Sequence, residues 1–121
     1  MSAAERLGAL KDLCFVGREC TLDALRILLL SAKDERERDT LRAAARPSFV
    51  KQAKTLLLQQ SPVIRDVGAG GDDGLTLLVD ADKCDSYFFE DVARRVGAAA
   101  RLLGFDEVEC RRQGGGAKVP L

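Results

Sequence analysis

Histidine is absent from this 121-residue chain. Without an imidazole there is no Ser-His-Asp or Cys-His nucleophile, no histidine metal ligand and no histidine acid–base catalyst near neutral pH. Carboxylates, lysines and cysteines remain as the groups that can do chemistry. The four cysteines, Cys14, Cys20, Cys84 and Cys110, include no Cys-x-x-Cys pair, so neither a zinc ribbon nor a dithiol redox motif is supported. No secretory leader is legible ahead of them, and the expectation is a reducing compartment with free, small, buried or half-buried thiols. If any two pair, Cys14 and Cys20 are best placed, across the short loop between them.

Three other spacings invite a chemical reading, and each has a plainer one. Asp80-x-Asp82-x-x-Asp85 suggests a calcium loop, but such a loop needs an oxygen ligand fifth and glycine sixth, where Cys84 and Asp85 stand. A solvated strand end followed by a helix cap is the better reading. Gly68-Ala69-Gly70-Gly71-Asp72-Asp73-Gly74 is rich enough in glycine to cradle phosphate, yet a phosphate loop must open a helix. Leu75-Thr76-Leu77-Leu78-Val79 comes next instead, so a hairpin connection is expected. Arg94, Arg95, Arg101, Arg111 and Arg112 form the densest basic set. They lack interleaved aromatics for base stacking and lie among acidic residues, which points to protein contact or solvation, not nucleic acid.

Nineteen basic and nineteen acidic residues cancel, whereas nucleic-acid binders usually carry a basic excess. Residues 1–60 hold eleven basic against eight acidic residues, and residues 61–121 the reverse imbalance, eight against eleven. That mild asymmetry can orient the domain against a charged neighbour. No apolar run reaches the ~20 residues of a membrane-spanning helix. The length and the 46% apolar content fit one globular domain with a single core.

Such residues must be held by elements that the hydrophobic periodicity outlines. Leu7, Leu10 and Leu13, with Ser2 as cap, predict a short N-terminal helix. Thr21–Leu30 has two readings. Leu22, Leu25, Leu28 and Leu29 fit one helical face, while Ala24–Leu30 fits a central strand covered on both sides; the strand is preferred because the later chain offers it partners. Asp34–Arg46 and Ser48–Gln60 are helical, with Pro47 either starting the second piece or kinking a continuous helix. The run Lys33–Asp39 of alternating charge reads as a solvated helical face with local ion pairs. Pro62–Val67 and Leu75–Asp80 are strands. Asp85 or Ser86 caps a helix over Tyr87–Leu103, whose Phe88, Val92, Val96, Ala99, Ala100 and Leu103 form one stripe, and Gly104 stops it. A short edge strand around Val108 and Cys110 comes next, then a flexible tail made of Gly114–Gly116 and Ala117–Leu121.

Four of these segments carry a family resemblance. Leu25-Arg26-Ile27-Leu28-Leu29, Phe49-Val50-Lys51-Gln52-Ala53-Lys54, Pro62-Val63-Ile64-Arg65-Asp66 and Glu90-Asp91-Val92-Ala93-Arg94 resemble, in order, four stretches of a mitochondrial family. They are its opening strand, the end of its first helix, its second strand and the start of its last helix. That thioredoxin-like family comprises the B8-type accessory subunit of respiratory complex I and related mitoribosomal proteins. The cysteine that members often carry after each of the first two strands is replaced by Leu30 and Val67, and the proline before the third strand is missing near Asp73–Leu75. A second resemblance, in Phe88, Gly97 and Gly104-Phe105-Asp106-Glu107-Val108, is to the end of PUB domains, which bind the tail of an AAA-type unfoldase.

The first resemblance implies an α/β fold: a thioredoxin-like three-layer domain with a mixed sheet over residues 21–104. An N-terminal helical extension over 1–20 and a C-terminal extension or tail over 105–121 flank it. It implies a non-enzymatic structural accessory subunit on the matrix side of the mitochondrial inner membrane, docked to other subunits of a large complex. Complex I is preferred and the mitoribosome is an alternative. No catalytic residue, cofactor, metal or small-molecule substrate is expected. Arg65, Arg94, Arg95, Arg111, Arg112 and the tail are the expected interface. The PUB-like alternative implies a cytoplasmic adaptor.

Overall fold

A computed structural model describes residues 5, 8, 9, 19–71, 73–83, 85–112 and 115–121, with the side chains of 19–21 and 112 outside the description. The chain runs through α1 (Glu19–Leu30), α2 (Glu35–Gln60), β1 (Ile64–Gly70), β2 (Thr76–Ala81) and α3 (Ser86–Val92). A π-helical turn over Ala93–Gly97, α4 (Ala98–Leu102), β3 (Glu107–Arg112) and β4 (Gly115–Pro120) complete it. This is a mixed α/β domain whose four strands lie in the order β1-β2-β3-β4. The outer pairs are antiparallel and β2 runs parallel to β3. The expected N-terminal helix, with Ser2, Leu7, Leu10 and Leu13, and a Cys14–Cys20 pair lie outside the described residues.

The strand expected at Ala24–Leu30 is a helix. Leu25 and Leu29 are buried one turn apart, while Ile27 is 66% and Leu30 74% exposed. A central strand would have covered both sides; here only one face finds a partner. The crossover that would have set this segment parallel to Pro62–Val67 is therefore absent, and the first strand of the described chain is β1.

Among the described residues the helices cover one face of the sheet, where a three-layer domain needs both. Cross-strand rows Val67–Val79–Cys110 and Ala69–Leu77–Val108 face inward, and all but Ala69, at the edge, are buried. The alternate rows carry Asp66, Asp80, Arg111, Glu109 and Lys118 to the other side, where ionic groups stay hydrated. Among the described residues this makes two layers, helices over sheet.

Helix α2 spans 26 residues and passes through Pro47 without interruption. The donor that proline lacks would have served Ala43, on the exposed side of the helix, where water can satisfy the carbonyl. Asp34 caps its start by accepting from the Glu37 N–H at 2.8 Å. Its buried residues Leu41, Ala45, Phe49, Ala53 and Leu57 are each four apart. At roughly 100° per residue each step drifts about 40° around the helix, so the stripe spirals. Along its length α2 packs on α1, α4 and β1.

The expected ion pairs of the charged run are present, Arg38 with Glu35 and Arg42 with Asp39, but this face is more than a solvated one. Arg38, Arg42 and Arg46, four residues apart, donate from Nε to the carbonyls of Leu29 (3.0 Å), Leu102 (3.2 Å) and Leu103 (2.7 Å). Each guanidinium meets the carbonyl-rich end of another helix, where cations are favoured. Three arginines thereby tie α1 and α4 to α2.

The helix expected at Tyr87–Leu103 stands as one rod through α3, the π turn and α4. All six stripe residues are buried, from Phe88 to Leu103. Asp85 is the cap, accepting from Phe88 N–H at 2.9 Å. Gly104 stops the helix with φ +95°. The Gly68–Gly74 loop is the hairpin connection between antiparallel β1 and β2.

Residues 105–121 supply two of the four strands. The expected strand at Val108 lies inside the sheet, not at its edge, and the segment expected as a flexible tail is edge strand β4, paired from Arg112↔Gly115 to Glu107↔Pro120. Periodicity could not show this, because Gly-Gly-Ala-Lys-Val-Pro has almost no apolar alternation. Its pairing depends on close backbone approach: a Cβ on Gly116 would stand 2.8 Å from the Cys110 carbonyl oxygen. Leu121 N–H then donates to the Asp106 carbonyl at 2.9 Å, tying down the end of the strand.

Candidate functional site

A cleft of about 550 Å³ opens where the turn before β1 faces the start of α3. Its apolar part is Val63, Ile64 and Phe88, and Ser61 contributes a hydroxyl. These residues arrive together because the Asp82 N–H donates to the Val63 carbonyl at 2.9 Å, fastening the end of β2 to the start of β1. Tyr87 stands at the cleft 80% exposed. It precedes Phe88 in the helix, so it must point off the buried stripe.

Ionic groups line the rest, and most of them are already matched. Asp91 accepts from Arg94 at 2.5 Å and from Arg95 Nε at 3.0 and 3.1 Å. Partial burial pushes the Asp91 carboxyl up, but the hydrogen bonds and charges of Arg95 and Arg94 outweigh this and hold it below the usual carboxylate range. Asp85 is engaged as the helix cap. Arg65, next to Ile64, forks onto Asp82 at 2.8 and 3.3 Å. That hydrogen bond and the Asp82 charge raise the Arg65 pKa. Among the described residues of the cleft, the salt bridges join Asp91 and Arg94, the Asp85 carboxylate is held by a backbone N–H, and no salt bridge is formed by Lys83 or Glu90.

General acid–base catalysis by two carboxylates requires one held protonated by burial or by a like charge. Asp91 has the opposite environment. No group of three cysteine, aspartate or glutamate side chains among the described residues could hold a metal ion, and none of the described helices is long and apolar enough to cross a membrane. The cleft thus combines an apolar floor, an exposed tyrosine and an Asp91 carboxylate held ionised by its arginines.

The structure divides the five expected interface arginines. Arg94 lines the cleft and Arg65 stands beside it, each paired with an acid. Arg95 is turned partly inward onto Asp91. Arg111 lies on the opposite face of the sheet, in a second, smaller cleft of about 300 Å³ with Asp66, Leu78 and Asp80. Asp66 and Asp80 oppose each other across β1 and β2, a like-charge pair that costs stability unless neutralised. Lys54 meets Asp66 at 3.0 Å and Arg111 is in register with Asp80. The hydrogen bond from Lys54, that from the Val67 N–H and the Lys54 charge all lower the Asp66 pKa. The Arg112 side chain lies outside the description. Of the tail expected at the interface, Ala117, Lys118 and Pro120 are exposed on the sheet edge.

Reading for basic clusters missed Tyr87, Lys83 and the Val63–Ile64 floor. Tyr87 had a legible signal: an aromatic side chain one position off a well-defined core stripe. The floor had none, because Val63 and Ile64 look like any strand start until α3 folds over them.

The free-thiol expectation fails at Cys110, which is disulfide-bonded. The free-thiol reading rested on the expected reducing compartment, not on where the fold places the sulfurs.

The Asp91 cluster predicts acid sensitivity. Its folded pKa lies below that of the unfolded chain, about 3.9. Its contribution is therefore present above that value and disappears as pH falls through the lower folded value. Asp91→Asn is expected to remove at most ~1 kcal/mol at neutral pH, since a third of the side chain is exposed. It should also flatten the acid limb of stability below about pH 4. Urea unfolding across that range checks both, and an unchanged acid limb would show that the pair contributes nothing.

No family model, no curated protein and no solved structure matches this chain.

Proposed function

We propose that this protein is a non-catalytic interaction subunit of a multiprotein assembly and that the cleft at Tyr87 is part of its contact surface. The observation that carries the proposal is the cleft itself: an apolar floor beside an 80% exposed tyrosine, with the adjoining Asp91–Arg94–Arg95 and Arg65–Asp82 groups already paired. Tyrosine in such a position adds contact area at small entropic cost, which is why it is enriched at interfaces. Exposed Ile27 and Leu30 on α1 add a second apolar contact area.

Respiratory complex I in the mitochondrial matrix is one form of this proposal. Of the four resembling segments, Phe49–Lys54 is helical, Ile64–Asp66 is strand and Glu90–Arg94 is helical, as that family would require. The thioredoxin-like form of the fold needs a strand at Leu25–Leu29, where α1 stands, so the later three segments alone support this reading. The helical Glu19–Leu30 segment favours the second form, a PUB-like adaptor for an AAA-type unfoldase.

Affinity purification of the tagged full chain from intact cells in mild detergent, followed by mass spectrometry, separates them. Respiratory-chain subunits are expected for the first form and an unfoldase for the second; ribosomal proteins with RNA would replace both. Tyr87→Ala is expected to change stability by less than about 0.5 kcal/mol, as exposed substitutions do, while reducing recovery of the partner set several-fold. Full recovery with Tyr87→Ala would remove the cleft from the interface.

A further inference from the structure

The two edges of the sheet are finished differently. β1 carries a bulge between Ile64 and Asp66. Its Val67 N–H donates to the Asp66 carboxylate at 2.9 Å, Lys54 of α2 meets that carboxylate at 3.0 Å, and α2 packs on the strand. Bulge, charge and helical cover are devices that keep a foreign strand off an edge. On β4 the bond from Leu121 N–H to the Asp106 carbonyl fixes the alternation of the antiparallel pair. The backbone groups of Ala117 and Val119 turn toward β3, and those of Gly116, Lys118 and Pro120 turn outward. Pro120, with no N–H, falls in the outward set, as a proline on an edge strand must. Gly116 and Lys118 are exposed, and among the described residues nothing pairs with their side of β4.

Beside this edge lies a cavity of about 170 Å³, with an apolar lining of Phe89, Ala93, Val108, Val119 and Leu121. Val119 faces the helices, in register with buried Val108. Phe89 and Ala93, one helical turn apart, are only half-buried, as are Val119 and Leu121. Helix and strand each leave apolar surface here that the other does not cover. An apolar cavity of such a size holds a group as large as benzene. Among the described residues, Glu90 is its only charged lining, and that carboxylate is exposed and forms no salt bridge.

We propose that the outer edge of β4 binds an extended segment of a partner protein as a fifth strand, with an aliphatic side chain beside Val119 in the cavity and a lysine or arginine two residues away on Glu90. Each property of the occupant follows from one feature. The outward N–H and C=O groups require a strand, and the cavity requires an apolar side chain on its helix-facing side. Glu90 favours a cation on that same side, which the strand period places two residues along. Lys118 does not obstruct, because its side chain lies on the opposite face of the sheet, 3.7 Å from Glu107. A second copy of this chain fits worse. Two β4 strands paired about Ala117 set Gly115 opposite Val119 and leave the cavity empty. Paired about Lys118 they oppose two ammonium groups, and paired about Val119 they leave Gly116 unmatched. The edge site goes beyond the Tyr87 cleft and does not rest on it.

The test uses the full chain and a capped heptapeptide, Thr-Val-Thr-Leu-Thr-Lys-Thr, whose valine, leucine and lysine share one face of a strand. Millimolar peptide is expected to slow amide exchange at Gly116 and Lys118 about tenfold or more. Two N-methylated forms, one blocked at the threonine amides and one at the others, separate strand addition from side-chain contact: the form blocked toward β4 should lose the effect. Glu90→Lys should weaken binding about fivefold, and glutamate in place of the peptide's lysine should restore it. Lys118→Pro removes an outward donor and should abolish binding; if that variant does not fold, the N-methylated peptides make the same comparison on the wild type. Unchanged exchange, equal slowing by both N-methylated forms, or full affinity with Glu90→Lys would overturn the proposal. So would protection of Gly116 and Lys118 without peptide, which in a dimer makes a second copy the occupant and in a monomer means that the chain covers its own edge. The readout is at β4, so failure here leaves the Tyr87→Ala test of the cleft standing.

Discussion

Replacing Phe49 with alanine is expected to remove about 3–5 kcal/mol of stability, the usual cost of emptying a buried aromatic site. Phe49 has no exposed surface and lies at the middle of the buried α2 stripe. Its ring centroid is 5.5 Å from that of Phe105, tilted by 42°, a geometry that adds about 0.5–1.5 kcal/mol beyond area burial. Phe105 comes just after the Gly104 turn and leads into β3. The pair therefore joins the long helix to the second half of the sheet, and its neighbours cannot collapse into the void without moving both. For a domain of this length the midpoint of thermal unfolding should drop by on the order of 10–20 °C. Phe49→Leu, which keeps most of the volume, should cost much less, roughly 1–2 kcal/mol. Denaturant unfolding with constant m-value checks the comparison. A loss under about 1 kcal/mol for the alanine variant would mean that α2 is not packed on this site.

Gly104→Ala is the second large effect, expected at about 2–4 kcal/mol. Gly104 has φ +95°, a conformation that costs an L-residue roughly 1–2 kcal/mol. A Cβ there would also stand 2.9 Å from Arg46 Nη2. The guanidinium is the end of a flexible side chain, and it would move aside in isolation. Here its Nε holds the Leu103 carbonyl at 2.7 Å, so moving it weakens a charge-assisted bond worth about 1.5–3 kcal/mol. Arg46→Met removes that bond while keeping the aliphatic stem, and should cost about 1–3 kcal/mol. The double variant should cost less than the sum of the two, because each disrupts the same contact. Additive effects in that cycle would show that the Gly104 penalty is backbone strain alone.

These two sites bear on the cleft through the rod formed by α3, the π turn and α4. Arg42 and Arg46 hold one end of it against α2, and the other end carries Tyr87 and Phe88 into the cleft. The π-helical turn at Ala93–Gly97 lies between them and holds Arg94 and Arg95, the two residues that share Asp91. Such turns widen the helix by one residue and rotate the helical turns beyond them, and they recur at functional positions. The cleft is therefore positioned by contacts a full helix length away.

Much of the chain's local order was determined by sequence alone. Asp34 and Asp85 are short carboxylates that reach the first turn of a helix, and both became caps. Phe88, Val92, Val96, Ala99, Ala100 and Leu103 hold one stripe, and all became core. Glycine clustered between two apolar runs, with no helix after it, became a hairpin turn. The absence of histidine by itself excludes whole classes of catalysis, whatever the fold. Tertiary structure decided the rest. Ala24–Leu30 is apolar enough to be a strand or a helix, and only the lack of cover over Ile27 and Leu30 shows which. Gly115–Pro120 has no periodicity, and becomes a strand because a glycine lets its backbone reach the Cys110 carbonyl. Arg38, Arg42 and Arg46 look like any solvated charges until helix ends from elsewhere arrive beside them. Local propensity is written in neighbours along the chain. What a residue meets across the fold depends on partners many positions away, and no window of sequence contains them.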